Sequence, residues 1–313
     1  MLVNPAHLHL LLNHVPTVGS VVALGLLLLA LVRRDEALKH AGLEVLFAIA
    51  VLTLPVYTSG VAAFMEIRNR PDISDQAMRI HQDAALAGFI ATELAGFIAW
   101  VALWQTRRRG DAAPGVVPAT IVMLALALAI TGRAANVGGD IRHPEIRPDL
   151  QASETAASAD QYVAGSISHV MVNSTWVWPL SETIHFLGLS LSFGVLLAVN
   201  LRILGVMKQF AFSDVHRLLP WGMLGFGVNL ITGMLFFVGQ PGQYAASSPF
   251  FWKVVFLMIA GANFLYLTVA RHLWVDSGLE SSPGDKAMAA SSIAAWLAVL
   301  YAGRMLPFIG NAF

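Results

Sequence analysis

The stretch Ala6–Arg34, AHLHLLLNHVPTVGSVVALGLLLLALVRR, decides how the rest of the chain is read. Three histidines, an asparagine and a proline crowd its first third, and a nearly unbroken apolar run ending in two arginines follows. From Val15 to Val32 there are 18 residues without a charge, the length at which a helix begins to span the hydrocarbon of a bilayer. The histidines therefore fall near one membrane face, in the span or beside it. An imidazole near hydrocarbon is costly unless something satisfies it, so each one is a candidate functional residue.

Working outward, the whole chain has the same character. It is 57% hydrophobic and 12% charged over 313 residues, about half the charge of a soluble domain. Lys plus Arg and Asp plus Glu are 19 each, so no net charge draws an acidic partner and nucleic acid is not expected. There is no cysteine, which excludes disulfides, thiolate-held iron–sulfur clusters and covalent c-type haem. Any metal or cofactor must be held by His, Met, carboxylate or backbone. The N-terminus lacks the basic region and small-residue cleavage site of a signal peptide, so the first span is expected to be retained.

Hydropathy predicts eight spans, near 10–32, 43–65, 80–105, 116–135, 177–205, 218–238, 250–274 and 286–308. The expected fold is all-α and polytopic, two four-helix halves (1–135 and 176–313) joined by an extracytoplasmic loop over 136–175. Within that loop Tyr162, Val163, Ile167, Val170 and Met171 recur at helical spacing, which predicts a short surface helix. Of the basic residues, 11 fall on one side of the spans and 8 on the other. The larger set clusters in short loops, which places both termini outside the cytoplasm.

Seven of the ten histidines fall on the outer side: His7, His9, His14, His81, His143, His169 and His185. Only His40, His216 and His272 fall on the inner side. At ~1.5 Å per residue, His14 and His185 lie ~28 and ~26 Å from the inner boundary, and His7 and His81 share a level ~10 Å further out. Two imidazoles at matched depth on facing helices, small residues beside them and basic groups for propionates are what a b-type haem needs. The basic groups on offer are Arg79, Arg133, Arg142, Lys253 and Arg304. Glu182 lies three residues before His185, on the same helix face, and is a candidate to hold its tautomer. Glu93, mid-span, reads equally as a proton relay or quinone contact and as a hydrogen bond to a neighbouring helix. Asn200, Asn229 and Thr232 read as interhelical hydrogen bonds, and GFGVNLITG as a close-packing segment.

The segment SETIHFLGLSLSFGVLLAVNLRILG (181–205) resembles bacterial membrane proteins with an E-x-x-H-x-x-G opening and a D/N-L-R-x-L-G ending. These are similar to the copper-resistance D-type and cytochrome b561-like families. In the first half, NHVPTVGS (13–20) and IHQDAALAGF (80–89) resemble a small four-span family found with Rieske or cytochrome components. The HP-x-x-HF-type opening usual in the first family is altered here. The resemblance implies membrane redox work with non-covalent haem, and by residue it reaches His14, His81, His185 and Glu182.

The expected function is a b-type cytochrome-like subunit in a bacterial inner membrane, holding one or two haems b and using quinone. It would carry electrons between the quinone pool and an extracytoplasmic partner such as a cytochrome c-like protein. Candidate cofactor residues are His14, His81 and His185 as iron ligands, with His7, His169, Arg79, Arg133 and Arg304 around them and Glu182 and Glu93 behind. Two alternatives use the same residues. One is a copper or other metal-ion carrier that adds Met65, Met171 or Met305, and the other is a proton-coupled transporter centred on Glu93.

Overall fold

A computed structural model describes residues 4–68, 70, 73–142, 163–270 and 281–309. All regular structure among them is helical. Eight segments are long and apolar enough to cross a membrane: Pro5–Arg33, Glu36–Ile67, Asp75–Arg109, Val116–Gly139, Val177–Leu204, Phe212–Gly239, Ser248–Val269 and Pro283–Leu306. The eight-span, all-α expectation holds, and the protein is a multi-pass membrane protein in a lipid environment. The seventh span is helical to Val269, and its expected end near 274, with Tyr162, His143 and His272, lies outside the described residues.

The chain forms two compact units, residues 1–105 with 111–169, and 106–110 with 170–313. In the first unit the opening span is two helices, α1 (Pro5–Leu12) and α2 (His14–Arg33), with a turn at Asn13 between them. Pro5 stands in the first turn of α1, where its missing N–H costs nothing, and Asn4 accepts from the His7 N–H at 3.0 Å. The Asn4 amide also donates to Glu66 at 2.8 Å. Pro16, Ser20, Ala23, Leu27 and Ala30 make the buried stripe of α2, while Val18, Val21, Val22, Leu28 and Val32 stay exposed on its other faces, the side a lipid would cover.

Arg34, in the left-handed region at φ 52°, ends α2. Asp35 then opens α3 (Glu36–Ile67) by accepting from the N–H groups of Ala37 and Leu38 at 2.8 and 3.1 Å. Close approach of α2 and α3 depends on missing side chains: a Cβ at Gly19 would meet Ile49 at 2.8 Å and one at Gly42 would meet Leu27 at 2.9 Å. Next come α4 (Asp75–Arg109) and α5 (Val116–Arg142). Gly96 of α4 lies against Ala50 of α3, and Tyr57 stacks on Phe89 with centroids 5.0 Å apart. The expected loop helix is present as α6 (Val163–Asn173), and Asp83 of α4 accepts from its first N–H groups, Val163 at 3.1 Å and Ala164 at 3.4 Å. A carboxylate there answers both the unpaired donors and the positive end of the helix.

The second unit is built on α7 (Val177–Ile203), α8 (Phe212–His216), α9 (Leu219–Gly239), α10 (Pro241–Ala245), α11 (Ser248–Val269) and α12 (Pro283–Ile309). Helices α7 and α9 touch backbone to backbone: a Cβ at Gly188 would stand 2.9 Å from the Gly225 carbonyl oxygen. Asn229 donates across this crossing to the His185 carbonyl at 2.9 Å, and Asn200 of α7 donates to Ser292 of α12 at 3.1 Å. Both asparagines thus tie helices together, as read from the sequence. Arg202 closes the turn after α7, its guanidinium donating to the Phe210 carbonyl and lying 3.8 Å from the Phe212 ring centre.

Candidate functional site

Three imidazoles are held in the same way, and the holding fixes their chemistry. In the first unit, His9 of α1 turns Nδ1 to the Val56 carbonyl of α3 at 3.1 Å. His81 of α4 turns Nδ1 to the Ala134 carbonyl of α5 at 2.9 Å. A carbonyl oxygen only accepts, so Nδ1 carries the proton in both rings and Nε2 presents a bare lone pair. This is the orientation that a metal-ligating histidine takes when its second nitrogen is anchored by protein.

The seats of the two rings match. Gly60 stands four residues after Val56, and a Cβ there would lie 2.8 Å from His9 Cε1 and 3.1 Å from its Nδ1. Gly138 stands four residues after Ala134, and a Cβ there would lie 3.0 Å from His81 Cε1 and 3.2 Å from its Nδ1. Each imidazole therefore lies on a bare patch of helix backbone, one turn beyond the carbonyl that orients it. His9 and His81 thus each offer one bare imidazole nitrogen, from separate helices of the first unit.

In the second unit, His185 of α7 bonds through Nδ1 to the Thr232 hydroxyl of α9 at 2.8 Å. That hydroxyl has one proton and directs it to the Val228 carbonyl, also at 2.8 Å. With its proton on that back-bond, the oxygen is free to accept from His185 Nδ1, the arrangement that matches the other two rings. Glu182, the expected partner of this ring, lies exposed on α7. The i, i+3 spacing places it on a neighbouring part of the same helix, whereas the anchor comes from a different helix.

The other expected residues are more scattered. His7, His14 and His169 are exposed, as are Arg133 and Arg304. Arg79 is half-buried, 4.0 Å from Asp75 on the same helix. Glu93 is half-buried on α4, and its Oε1 is enclosed with no hydrogen-bond partner among the described residues. His216 is fully buried at the start of the sixth span. Met171 is buried against Gly239, and Met65 accepts from Arg68 at 3.7 Å. Among the described residues no three His, Asp or Glu side chains converge as a metal cage would require.

His9 is the residue that sequence reasoning passed over. Counting depth along the span singled out His14 and His7, whereas the structure turns His9 of the same span onto α3. The available signal was the pairing of a histidine on one helix with an apolar-x-x-x-Gly step on another: Val56 with Gly60, Ala134 with Gly138.

The donor set suits haem iron. His9 and His81 each offer an imidazole Nε2 left unprotonated because a backbone carbonyl holds Nδ1–H. No known family, characterised protein or solved structure matches this chain.

Proposed function

We propose that the protein is a membrane-embedded b-type cytochrome-like subunit in which His9 and His81 hold one haem b, and that it carries electrons between the quinone pool and an extracytoplasmic redox partner. The observation that carries this reading is the matched holding of the two rings: both turn Nδ1 to a backbone carbonyl and both are seated on glycine. Haem, when bound, would supply a one-electron carrier, and holding by two imidazoles favours electron transfer over oxygen chemistry.

The chain's own contribution is orientation and dielectric. The Val56 and Ala134 carbonyls keep the proton on Nδ1, Gly60 and Gly138 let the rings lie against backbone, and the apolar helices keep water away. In this reading the first ligand is His9 in place of His14. The placement remains that of the sequence: a bacterial inner membrane with both termini extracytoplasmic.

The test is a visible spectrum with a pyridine haemochrome assay on protein from haem-replete cells. His9→Ala and His81→Ala are expected to lose the Soret band, and His7→Ala and His14→Ala to keep it. A colourless wild type, or a full band in both His9→Ala and His81→Ala, refutes the assignment. A second reading, proton-coupled transport, is favoured by the unpartnered Glu93 oxygen. It predicts a colourless protein whose proton-driven uptake falls with Glu93→Gln.

A further inference from the structure

At the far end of α2 from its histidine, a cleft of about 310 Å³ opens where α2, α3 and the loop into α5 meet. The ends of three candidate spans, Arg33, Glu36 and Val116, stand around it, so it lies at the level where hydrocarbon gives way to headgroups. Its apolar wall is Leu27, Ala30 and Leu31 of α2 with Val117 and Pro118 of α5. Leu27 and Ala30 are buried, whereas Leu31 is 53% exposed and carries the wall out onto the side of α2 that a lipid would cover.

The polar part of the lining is held by contacts already in place. Lys39 of α3 reaches the α4–α5 loop, donating to Asp111 at 3.1 Å, and pairs with Glu36 at 2.6 Å. The loop is tied down in turn: the Ala112 N–H donates to Asp111 and the Ala113 N–H to the Gln105 side chain, both at 2.7 Å. Asp35 is occupied by the first N–H groups of α3. Arg34, exposed at the left-handed turn that ends α2, also lines the cleft, and its guanidinium makes no hydrogen bond or ion pair among the described residues.

This lining narrows the occupant. Arg34 and Lys39 face three carboxylates, Asp35, Glu36 and Asp111. An anionic headgroup would meet an excess of its own charge, and an uncharged one would leave Arg34 unanswered. A zwitterion answers both signs. Its phosphate accepts from the guanidinium fork, and its ammonium donates to Glu36 and Asp111, each of which has a second oxygen beyond the one that Lys39 takes. A primary ammonium brings three N–H donors to these oxygens, whereas a trimethylated one brings none. The volume lies at the small end of ligand sites, which run from ~300 to ~1,000 Å³, so it suits a headgroup whose acyl chains stay in the bilayer along Leu31.

We propose that this cleft binds the headgroup of a zwitterionic phospholipid with a primary ammonium, Arg34 taking the phosphate and Glu36 with Asp111 taking the ammonium. The site needs neither haem nor quinone and stands apart from the reading above.

The test is native mass spectrometry of the delipidated full chain in detergent, titrated with phosphatidylethanolamine, phosphatidylcholine and phosphatidylglycerol of the same acyl chains. The ethanolamine lipid is expected to bind about tenfold tighter than the other two, the scale of a hydrogen bond to a charged group. Arg34→Gln should weaken it about tenfold, and Glu36→Gln should bring it toward the choline lipid. Both side chains are exposed, so neither change threatens the fold. Arg33→Gln removes the neighbouring cation, which does not line the cleft, and should leave binding unchanged. Equal binding of the three lipids, no loss in Arg34→Gln, or the same loss in Arg33→Gln overturns the site. Tighter binding of the glycerol lipid overturns the zwitterion, and displacement of the lipid by an equal concentration of soluble phosphoethanolamine overturns its being a lipid site.

Discussion

Gly60 offers the sharpest way to disturb the haem pair without touching either ligand. In Gly60→Ala the new Cβ would stand 2.8 Å from His9 Cε1. An ordinary contact begins near 3.4 Å, so the ring must retreat by about 0.6 Å. A retreat of that size along the His9–Val56 hydrogen bond takes it from 3.1 Å to about 3.7 Å, beyond useful range. Overpacking of this kind costs about 1–3 kcal/mol and the lost hydrogen bond about 1 kcal/mol. The gain in helix propensity from Gly to Ala returns at most about 1 kcal/mol. The net of about 1–3 kcal/mol corresponds to haem binding weakened roughly 10- to 100-fold. Titration of haem-free protein with haemin, followed in the Soret band, measures this. Gly138→Ala, whose Cβ would meet His81 at 3.0 Å, should do the same more weakly. Gly132→Ala, with nothing within 4 Å, should leave affinity unchanged. An unaltered affinity in Gly60→Ala, or an equal loss in Gly132→Ala, would refute the reasoning.

Two further outcomes concern stability. In Gly225→Ala the Cβ would lie 2.7 Å from both the Gly188 carbonyl oxygen and the Ser192 nitrogen. Both are backbone, so α7 and α9 must part, and thermal melts in detergent should show a loss of about 1–3 kcal/mol or more. Gly227→Ala, with open space around it, should show none. Asp111 tests the loop between α4 and α5: the Lys39 ammonium 3.1 Å away and the Ala112 N–H hold its carboxyl below the usual carboxylate range. A depressed folded value means that the ionised form favours the fold. Its contribution is full above the ordinary value of about 3.9 and fades as pH falls through the lower folded value. The gap in melting temperature between wild type and Asp111→Asn should therefore be small, close as pH falls through the depressed folded value, and shrink in high salt because Asp111 is exposed. A gap that widens on acidification would contradict the pairing.

The architecture was legible because hydrocarbon imposes a length and a composition that Val15–Val32 and its counterparts meet without reference to the rest of the chain. The loop helix was legible for a similar reason, its apolar residues recurring at a helical period. Asn200 and Asn229 were legible as struts because a lone amide inside a span has few other uses. The ring partners were harder to read. His9 finds Val56, 47 positions along the chain, through a backbone carbonyl that every residue type possesses. His185 finds Thr232 on another helix, whereas local spacing pointed to Glu182.

The anchors of His9 and His81 are main-chain oxygens, so no side-chain replacement at Val56 or Ala134 deletes them. Genetic drift at those two positions can change packing yet leaves the proton on the same nitrogen. The vulnerable positions are the facing glycines, where any codon change adds atoms. His185 is the opposite case: its anchor is a hydroxyl that one substitution removes. A mutational scan of this protein should therefore find the first bundle silent at its anchors and intolerant at its glycines, with the second bundle sensitive at the anchor itself.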